Sequence, residues 1–404
     1  MKEYPESIDG VEEESEEFRP YDTGKISIDT KKITMEGCLR RLEQGTIMLA
    51  PDFQRNEVWG EDKKSRLIES LMLKIPIPMF YVSADEKGVY SVVDGLQRLS
   101  TIRDFVLGRD YLKMRDPAKK GAGLKLQQLE FWGDEYNKYN FNMLPIDMQN
   151  RILETEFTFT VINPGTPEEV KRNIFKRINT GGEPLTAQEI RNALYIGLAT
   201  TFLHSLSKSD EFLESTGESI KTERMMDKEL ILRSLAFMVR NWNTYSKDND
   251  MDRFLSDTMR IINIMPDFAS KESLKFFKDE SSKKEGVKRE DIQINHTEEL
   301  RVLFLNGTSR AKQLFGDHTY RKSYGDRRRT PINKALFEVW TVLLSKLSND
   351  NFQMLCTNKC RFLSEYNEYL NDTHFNYFIS RDSWKYNAVK ERHEQLSQLV
   401  KKYI

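Results

Sequence analysis

This 404-residue sequence has few cysteines, almost no net charge and no long hydrophobic run. No stretch approaches the roughly 18 apolar residues of a membrane-spanning helix, so we expect no membrane partner. The three cysteines, Cys38, Cys356 and Cys360, cannot all pair, and no hydrophobic leader precedes the body of the chain. We therefore expect a cytoplasmic protein with reduced thiols. The formal net charge of -1 argues against a general polyanion binder but allows a local basic surface.

Several common catalytic patterns are also missing. No GxxxxGK[ST] motif occurs, which excludes the usual phosphate loop of nucleotide hydrolases. Asp317 and His318 are the nearest approach to an HNH nuclease, but the next histidine is His374, too far away for a ββα-metal hairpin. Cys356 and Cys360 have no second Cys/His pair at zinc spacing, so we predict no metal site.

The hydrophobic content of 38% and the chain length are enough for two units with sizeable cores. Residues 1–20 are acidic and show no periodicity, which predicts a disordered tail. Strand and helix patterns alternate up to about residue 167, after which the pattern is almost entirely helical, with a loose charged stretch at 271–291. We predict an α+β protein, with a mixed α/β domain followed by a mainly α-helical domain.

Periodicity also locates the individual elements. The runs at 78–84 and 88–94 flank the turn-forming DEKG and predict a hairpin. Further strands are predicted at 25–29, around 46–51 and at 156–162. Helical patterns are found at 34–44, 63–74, 96–108, 146–153, 167–180, 186–206, 227–241, 249–264, 295–315, 331–347, 350–370 and 383–402.

One strand-to-helix corner, VVDGLQRLST at 92–101, concentrates polar side chains. Asp94 falls at or near the helix N-cap, and Gly95 allows an unusual backbone conformation or a close approach. The first-turn N–H groups attract anions, Arg98 could add a bidentate fork for phosphate, and Gln97 could orient a water or a base edge. In the simpler alternative, Asp94 only caps the helix and Arg98 forms a surface salt bridge.

A second candidate segment, PDFQRNEVW at 51–59, places Gln54 and Arg55 after a predicted strand. Arg55 could be a further phosphate ligand, with Trp59 as a stacking wall. Alternatively, Trp59 packs in the core and Arg55 pairs with a carboxylate.

A third segment, INTGGEPLTAQEIRNA at 178–193, joins a tight turn to a helix. Successive N–H groups of the turn could form an anion nest. Thr186 and Glu189 form a capping box for the helix, and Arg191 one turn later could face the same cleft. A purely structural hinge is the alternative. The turn residues concerned are Asn179, Gly181 and Gly182.

The segment YRKSYGDRRRT at 320–330 combines five basic residues with interleaved tyrosines. Such side chains fit phosphates and stacked bases, which makes DNA a candidate partner. A solvated loop before the next helix also explains the pattern and is the favoured interpretation. The predicted nucleic-acid-binding residues are Arg321, Lys322, Arg327, Arg328 and Arg329.

Three blocks, at 51–78, 92–102 and 175–195, together resemble the N-terminal domain of the GmrSD-type, modification-dependent restriction systems. That family belongs to the ParB/sulfiredoxin-like fold and carries an Asp-Gly-Gln-Gln-Arg signature. The order and spacing of the blocks fit, and the resemblance extends over roughly residues 30 to 240. The sequence departs from the signature at Leu96, where the family usually has Gln.

The resemblance implies a nucleotide-sensing or nucleotide-hydrolysing module of an anti-phage defence system. The implied domains are a ParB/sulfiredoxin-like nucleotide-binding domain at 21–198 and a helical domain at 199–404. The implied ligand is a nucleoside triphosphate, GTP or ATP, with Mg²⁺ as a candidate companion. Asp94, Gln97 and Arg98 would be the catalytic residues, although Leu96 removes one polar contact and leaves hydrolysis open. The predicted nucleotide-binding residues are Gln54, Arg55, Gly95, Arg98, Asn179, Gly181, Gly182 and Arg191.

Because no HNH pattern is found, we expect a stand-alone member whose effector activity lies in a separate protein. A homo-oligomer is a further candidate arrangement. Two other function classes stay open at this point. One is a DNA- or protein-binding adaptor in which the corner has only a structural role, and the other is a free-standing nuclease.

Overall fold

The computed structural model divides the chain into two compact units, which meet in sequence between Ile196 and Gly197. We call them the N-terminal unit and the helical unit. The predicted α+β class is confirmed, because a mixed sheet with helices is followed by a region built mostly of helices. The predicted tail at 1–20 lies outside the described residues, and the functional labels of the two domains stay predictions. The structure describes residues 27–49, 59–177, 185–220, 222–245, 250–281, 286–380 and 382–404.

The N-terminal unit is built on one five-stranded sheet of order β1-β5-β3-β4-β2. β3 and β4 pair antiparallel, as the predicted hairpin requires, while β5 runs parallel to β3 and β2 runs parallel to β4. β1 pairs antiparallel with β5. The strands are β1 (Ile28–Thr34), β2 (Ile47–Met48), β3 (Phe80–Ala84), β4 (Tyr90–Asp94) and β5 (Glu156–Ile162).

Alternating apolar residues on the strands form the core of this unit. In β5, Phe157, Phe159 and Val161 are buried on the same face, as the period of two predicts. The Phe80 ring of β3 stacks on Phe159 at 5.1 Å and meets Phe157 edge-on at 5.2 Å. The helices of this unit are α1 (Met35–Glu43), α2 (Glu61–Met72), α3 (Leu96–Val106), α4 (Arg109–Met114), α5 (Gly133–Tyr136), α6 (Ile146–Leu153), α7 (Glu168–Arg177) and α8 (Ala187–Leu194).

A smaller apolar cluster packs α7 and α8 against the sheet. It joins Val93 of β4 and Ile162 of β5 to Phe175 of α7 and Ile190 of α8. α8 therefore lies beside the strand that ends in the Asp-Gly corner.

The helical unit contains eleven α-helices in the part of the chain that the structure describes. α11 and α15 are almost completely buried, with Trp340 at the centre. In the described ranges, no helix combines the length and apolar character needed to cross a membrane. The helices are α9 (Leu198–Ser207), α10 (Asp210–Thr216), α11 (Met226–Val239), α12 (Met251–Ile264), α13 (Lys271–Ser281), α14 (Thr297–Phe315), α15 (Lys334–Ser345), α16 (Asn349–Thr357), α17 (Lys359–Asn371), α18 (Thr373–Ser380) and α19 (Tyr386–Lys401).

Two predicted helices are broken, and one predicted loose stretch is partly helical. The pattern at 186–206 is interrupted because Asn263 caps a new helix, its Oδ1 accepting from the Ala199 N–H at 2.8 Å. The pattern at 350–370 is interrupted at Asn358. The stretch at 271–291 was expected to be loose, but α13 forms there because Ser273 and Phe276 are buried along one side.

A buried carboxylate holds one loop of the N-terminal unit. Glu69 of α2 is only 4% exposed and accepts hydrogen bonds from three consecutive backbone N–H groups. The donors are Glu130 at 3.0 Å, Phe131 at 2.7 Å and Trp132 at 3.1 Å. A carboxylate is the only side chain that can accept all three without offering a competing donor.

Replacing Glu69 by Ala should leave these three N–H groups without their acceptor and lower the free energy of unfolding by about 2–4 kcal/mol. Urea unfolding measures the loss, and hydrogen exchange should show faster exchange at Glu130, Phe131 and Trp132. Arg66→Ala is the matched control on α2, because its ion pair with Glu130 is exposed and should change stability by less than about 0.5 kcal/mol. Equal effects of the two substitutions would contradict this assignment.

A second buried carboxylate lies in the centre of the helical unit. Glu338 of α15 is fully buried and accepts from Arg392 Nη2 at 2.6 Å and from Arg233 Nε at 3.4 Å. Burial alone would raise the pKa of Glu338, but Arg392, His393 and Arg233 outweigh it and lower the pKa to about 2. The ionised carboxylate therefore stabilises the folded state above the unfolded pKa, and this contribution is lost as pH falls towards 2.

Glu338→Gln should lower the free energy of unfolding at pH 7 by about 3–5 kcal/mol, because two buried guanidinium groups lose their counter-charge. The difference from wild type should narrow between about pH 4.5 and pH 2, where the wild-type carboxylate gains its proton. Urea unfolding across this pH range measures it, with the exposed Glu298→Gln as control. A difference independent of pH would contradict the electrostatic explanation.

Candidate functional site

The corner between β4 and α3 is formed by a glycine in the left-handed conformation. Gly95 has φ +93° and ψ +9° and occupies the N-cap position of α3. A Cβ atom added to this residue would overlap the Phe80 ring. Both roles predicted for Gly95, an unusual backbone conformation and a close approach, are therefore observed.

Asp94 is the last residue of β4 and does not cap α3. The helix N-cap is Gly95, which has no side chain, and no first-turn N–H among the described residues donates to the Asp94 carboxylate. Instead, Asp94 Oδ2 accepts from Arg98 Nη2 at 3.1 Å. The predicted side-chain cap is not observed, because Gly95 occupies the N-cap position and Asp94 lies one residue before it, while α3 begins at Leu96 as predicted.

The partly buried Arg98 side chain stabilises the corner. Its Nη1 donates to the Pro78 carbonyl, and its Nη2 donates to the Met79 carbonyl at 3.3 Å and to Asp94. The guanidinium lies 4.7 Å above the centre of the Phe80 ring, and the side chain is only 11% exposed. Burial lowers the pKa of Arg98, and Asp94 opposes that shift. Two of these hydrogen bonds connect the chain before β3 to the first turn of α3, and the third connects that turn to the end of β4.

Gln97 connects the corner to the start of α2. Its Oε1 accepts from the backbone N–H of Trp59 at 3.5 Å, and Trp59 itself packs against the main core. This packing agrees with the structural alternative for Trp59. Gln54 and Arg55 lie outside the described residues, so their predicted role in phosphate binding stays a prediction.

The helix after the glycine turn is capped as predicted. Thr186 Oγ1 accepts from the Glu189 N–H at 3.2 Å, and Glu189 Oε2 accepts from the Thr186 N–H at 2.8 Å. Arg191 is 2% exposed, and its Nε donates to Gln188 Oε1 at 2.9 Å. Arg191 therefore lies in a buried polar stripe of α8, next to β4. Asn179, Gly181 and Gly182 of the turn lie outside the described residues.

A polar cluster between α7 and α8 was missed by the sequence analysis. The Tyr195 hydroxyl donates to Glu168 Oε2 at 3.1 Å and accepts from Arg172 Nη1 at 3.4 Å. Lys171 Nζ contacts Glu168 Oε1 at 2.9 Å. Lys171 and Arg172 are both at least nine-tenths buried. In the sequence, the one sign of this cluster is that its cations lie on the apolar side of an amphipathic helix. A charged surface explains that pattern equally.

The basic segment belongs to the helical unit, and the structure separates its five predicted residues into two groups. Arg321 is 3% exposed and Lys322 is half-buried, whereas Arg327, Arg328 and Arg329 are exposed. These five residues therefore do not share one exposed surface that could contact DNA.

Within the described ranges, no three His, Cys, Asp or Glu side chains lie close enough together to hold a metal ion. The corner contributes one carboxylate, Asp94, which is already paired with Arg98. Binding of Mg²⁺ stays a prediction.

Substituting Gly95 by Ala should distort the corner, because the new methyl group meets Phe80 and the backbone is left-handed. We expect a loss of about 2–4 kcal/mol of unfolding free energy. Gly88→Ala is the matched control, since Gly88 is also left-handed at φ +76° but faces open space, and it should cost only about 1–2 kcal/mol. Urea unfolding of both variants decides the point, and equal losses would show that the contact with Phe80 is unimportant.

The comparison with known protein families matches residues 37–196 to the model described as GmrSD restriction endonuclease, N-terminal domain. The match includes the β4–α3 corner and α8 and confirms the predicted resemblance. Neither the curated proteins nor the solved structures gave a match. A domain of this kind implies a component of a restriction-like defence system. Residues 37–196 are therefore similar to the GmrSD-type N-terminal domains.

Proposed function

We propose that the chain is the nucleotide-binding sensor of a restriction-like anti-phage defence system and that the β4–α3 corner receives the phosphates. The observation that carries the proposal is the N-terminus of α3, whose N-cap residue is a left-handed glycine without a side chain, inside the region that matches the GmrSD-type domain. Cytoplasmic location and a separate effector protein belong to the same proposal, and self-association of the chain is a further part of it.

Helix geometry supports an anion at this position. The first N–H groups of an α-helix have no partner within the helix, and the aligned peptide dipoles place partial positive charge there. At α3 these groups belong to Leu96, Gln97 and Arg98, and Gly95 supplies no side-chain oxygen to satisfy them. A phosphate oxygen is a suitable acceptor for such groups.

The side chains of the corner take different roles in this proposal. Arg98 is a positioning residue, since its bonds to Pro78, Met79 and Asp94 fix the direction of the first turn. Asp94 and Gln97 are the candidates for orienting a water molecule. The remaining proposed nucleotide contacts are Gln54, Arg55, Asn179, Gly181, Gly182 and Arg191, and the proposed ligand is GTP or ATP, with Mg²⁺.

Hydrolysis is a separate question from binding. Leu96 stands where the family signature has Gln, and its apolar side chain is buried. The corner thus offers one polar group fewer for the reacting phosphate. We therefore propose that the corner binds the nucleotide. Whether the bound nucleotide is hydrolysed can be measured with the same protein.

One specific observation favours a second candidate function, a DNA- or protein-binding adaptor in which the corner is purely structural. The Arg98 guanidinium is largely buried and is engaged by two carbonyls, one carboxylate and an aromatic ring. A residue used in this way stabilises the fold whether or not a nucleotide binds. The two candidates differ in whether the purified chain binds a nucleotide at all.

Titration of the full chain with fluorescent GTP, ATP and CTP tests the proposal. We expect one of them to bind, and Gly95→Ala to weaken that binding at least about tenfold, because the first-turn N–H groups change direction. Gly88→Ala should bind as wild type does, since it introduces a comparable backbone penalty away from the corner. Phosphate release, measured in the same samples, shows whether the bound nucleotide is hydrolysed.

Failure of all three nucleotides to bind would overturn the proposal and favour the adaptor. Equal binding by wild type and a folded Gly95→Ala protein would show that the phosphates do not bind at this corner. Circular dichroism of each variant, recorded before the titration, separates lost binding from lost folding.

A further inference from the structure

The basic segment of the helical unit is a closed loop held at its base. Arg321 and Ile332 form an antiparallel bridge, the Lys322 N–H donates to Thr330 Oγ1 at 3.1 Å, and the Thr330 N–H donates to Ser323 Oγ at 3.0 Å. We call residues 323–330 the arginine loop.

Two of the basic residues anchor the base of this loop. Arg321 donates to the Thr330 carbonyl and to Ser219 Oγ, the latter at 2.7 Å. Lys322 Nζ donates to Ser380 Oγ at 2.8 Å. These side chains are directed to the protein, so their charges serve to hold the loop against its neighbours.

His318 fixes the tip of the loop. One ring nitrogen, Nδ1, lies 2.9 Å from Ser323 Oγ, and the other, Nε2, lies 2.8 Å from the Gly325 carbonyl. Both ring nitrogens are therefore used on the loop itself. Gly325 has φ +60°, the left-handed conformation that glycine adopts at little cost.

Three consecutive exposed arginines follow this anchored tip. Arg327, Arg328 and Arg329 are all exposed, and Asp326 is the one acidic residue within the arginine loop. The Arg327 guanidinium lies 4.3 Å over the Tyr324 ring. Arg327 therefore covers this face of the Tyr324 ring, which is then not available to stack on an unpaired base.

We propose that the arginine loop binds the phosphodiester backbone of double-stranded DNA. Guanidinium groups form bidentate hydrogen bonds with phosphates, and adjacent phosphates of a duplex offer successive partners to adjacent cations. An anchored loop loses little conformational entropy on binding. The positive charge of the arginine loop is local, because the chain as a whole has a net charge of only -1. The inference does not depend on the nucleotide proposal, because the loop lies in the other unit.

Fluorescence anisotropy of the full chain with a labelled duplex of about 20 bp tests this, between about 50 and 200 mM NaCl. R327A/R328A/R329A should bind at least about 10-fold more weakly, and its log K against log salt slope should be shallower by about 2.7. K271A/K275A/K278A removes three exposed lysines from α13 and should bind as wild type does. H318A should weaken binding while leaving the slope unchanged, because it releases the loop without removing a contact to phosphate.

Five results would overturn the proposal. Wild type that does not bind the duplex at the lowest salt concentration excludes the interaction, and an unaffected triple arginine variant excludes the loop. Equal losses in the arginine and lysine variants would show a general charge effect. Preferential binding of single-stranded DNA, or equal competition by polyglutamate, would assign the loop to bases or to an acidic protein.

Discussion

The contacts of the Arg98 guanidinium fix the geometry on which the candidate site depends. They connect the carbonyls of Pro78 and Met79, just before β3, to the first turn of α3. The Phe80 ring is contacted both by this guanidinium and by the backbone of Gly95. Hydrogen bonds to charged groups contribute about 1.5–3 kcal/mol each. The first-turn N–H groups are therefore held in one direction, which is a requirement for binding an anion without reorganisation.

Hydrogen bonds between buried side chains also explain the polar stripe on α8. Ile190 packs with Val93 and holds the helix against β4, while Gln188, Arg191 and Asn192 lie along another side. Polar groups in such positions are costly unless they are hydrogen-bonded, and Gln188 bonds to both of its neighbours. Packing thus brings a helix with a buried polar side, which includes Arg191, to the strand that carries the Asp-Gly corner.

Much of the fold could be predicted because local patterns determine it. The β3–β4 hairpin follows from alternation around a turn, and the capping box of α8 follows from the spacing of Thr186 and Glu189. The start of α3 at Leu96 was predicted, but the pairing of Asp94 with Arg98 in place of a side-chain cap was not, because it depends on Gly95 occupying the N-cap position. The partners of Arg98 could not be predicted, since two of them are main-chain carbonyls about twenty residues earlier. The burial of Arg321 likewise depends on Ser219, which is distant in sequence.

The match of residues 37–196 to a GmrSD-type domain implies a component of a restriction-like defence system, and we propose that the β4–α3 corner binds a nucleotide through backbone N–H groups. Hydrogen exchange at Leu96, Gln97 and Arg98, with and without saturating GTP or ATP, tests this claim most directly. We predict slower exchange at these three residues and unchanged exchange at Lys87 and Gly88 in the β3–β4 turn. Unchanged exchange at residues 96–98 with the nucleotide bound would contradict the account.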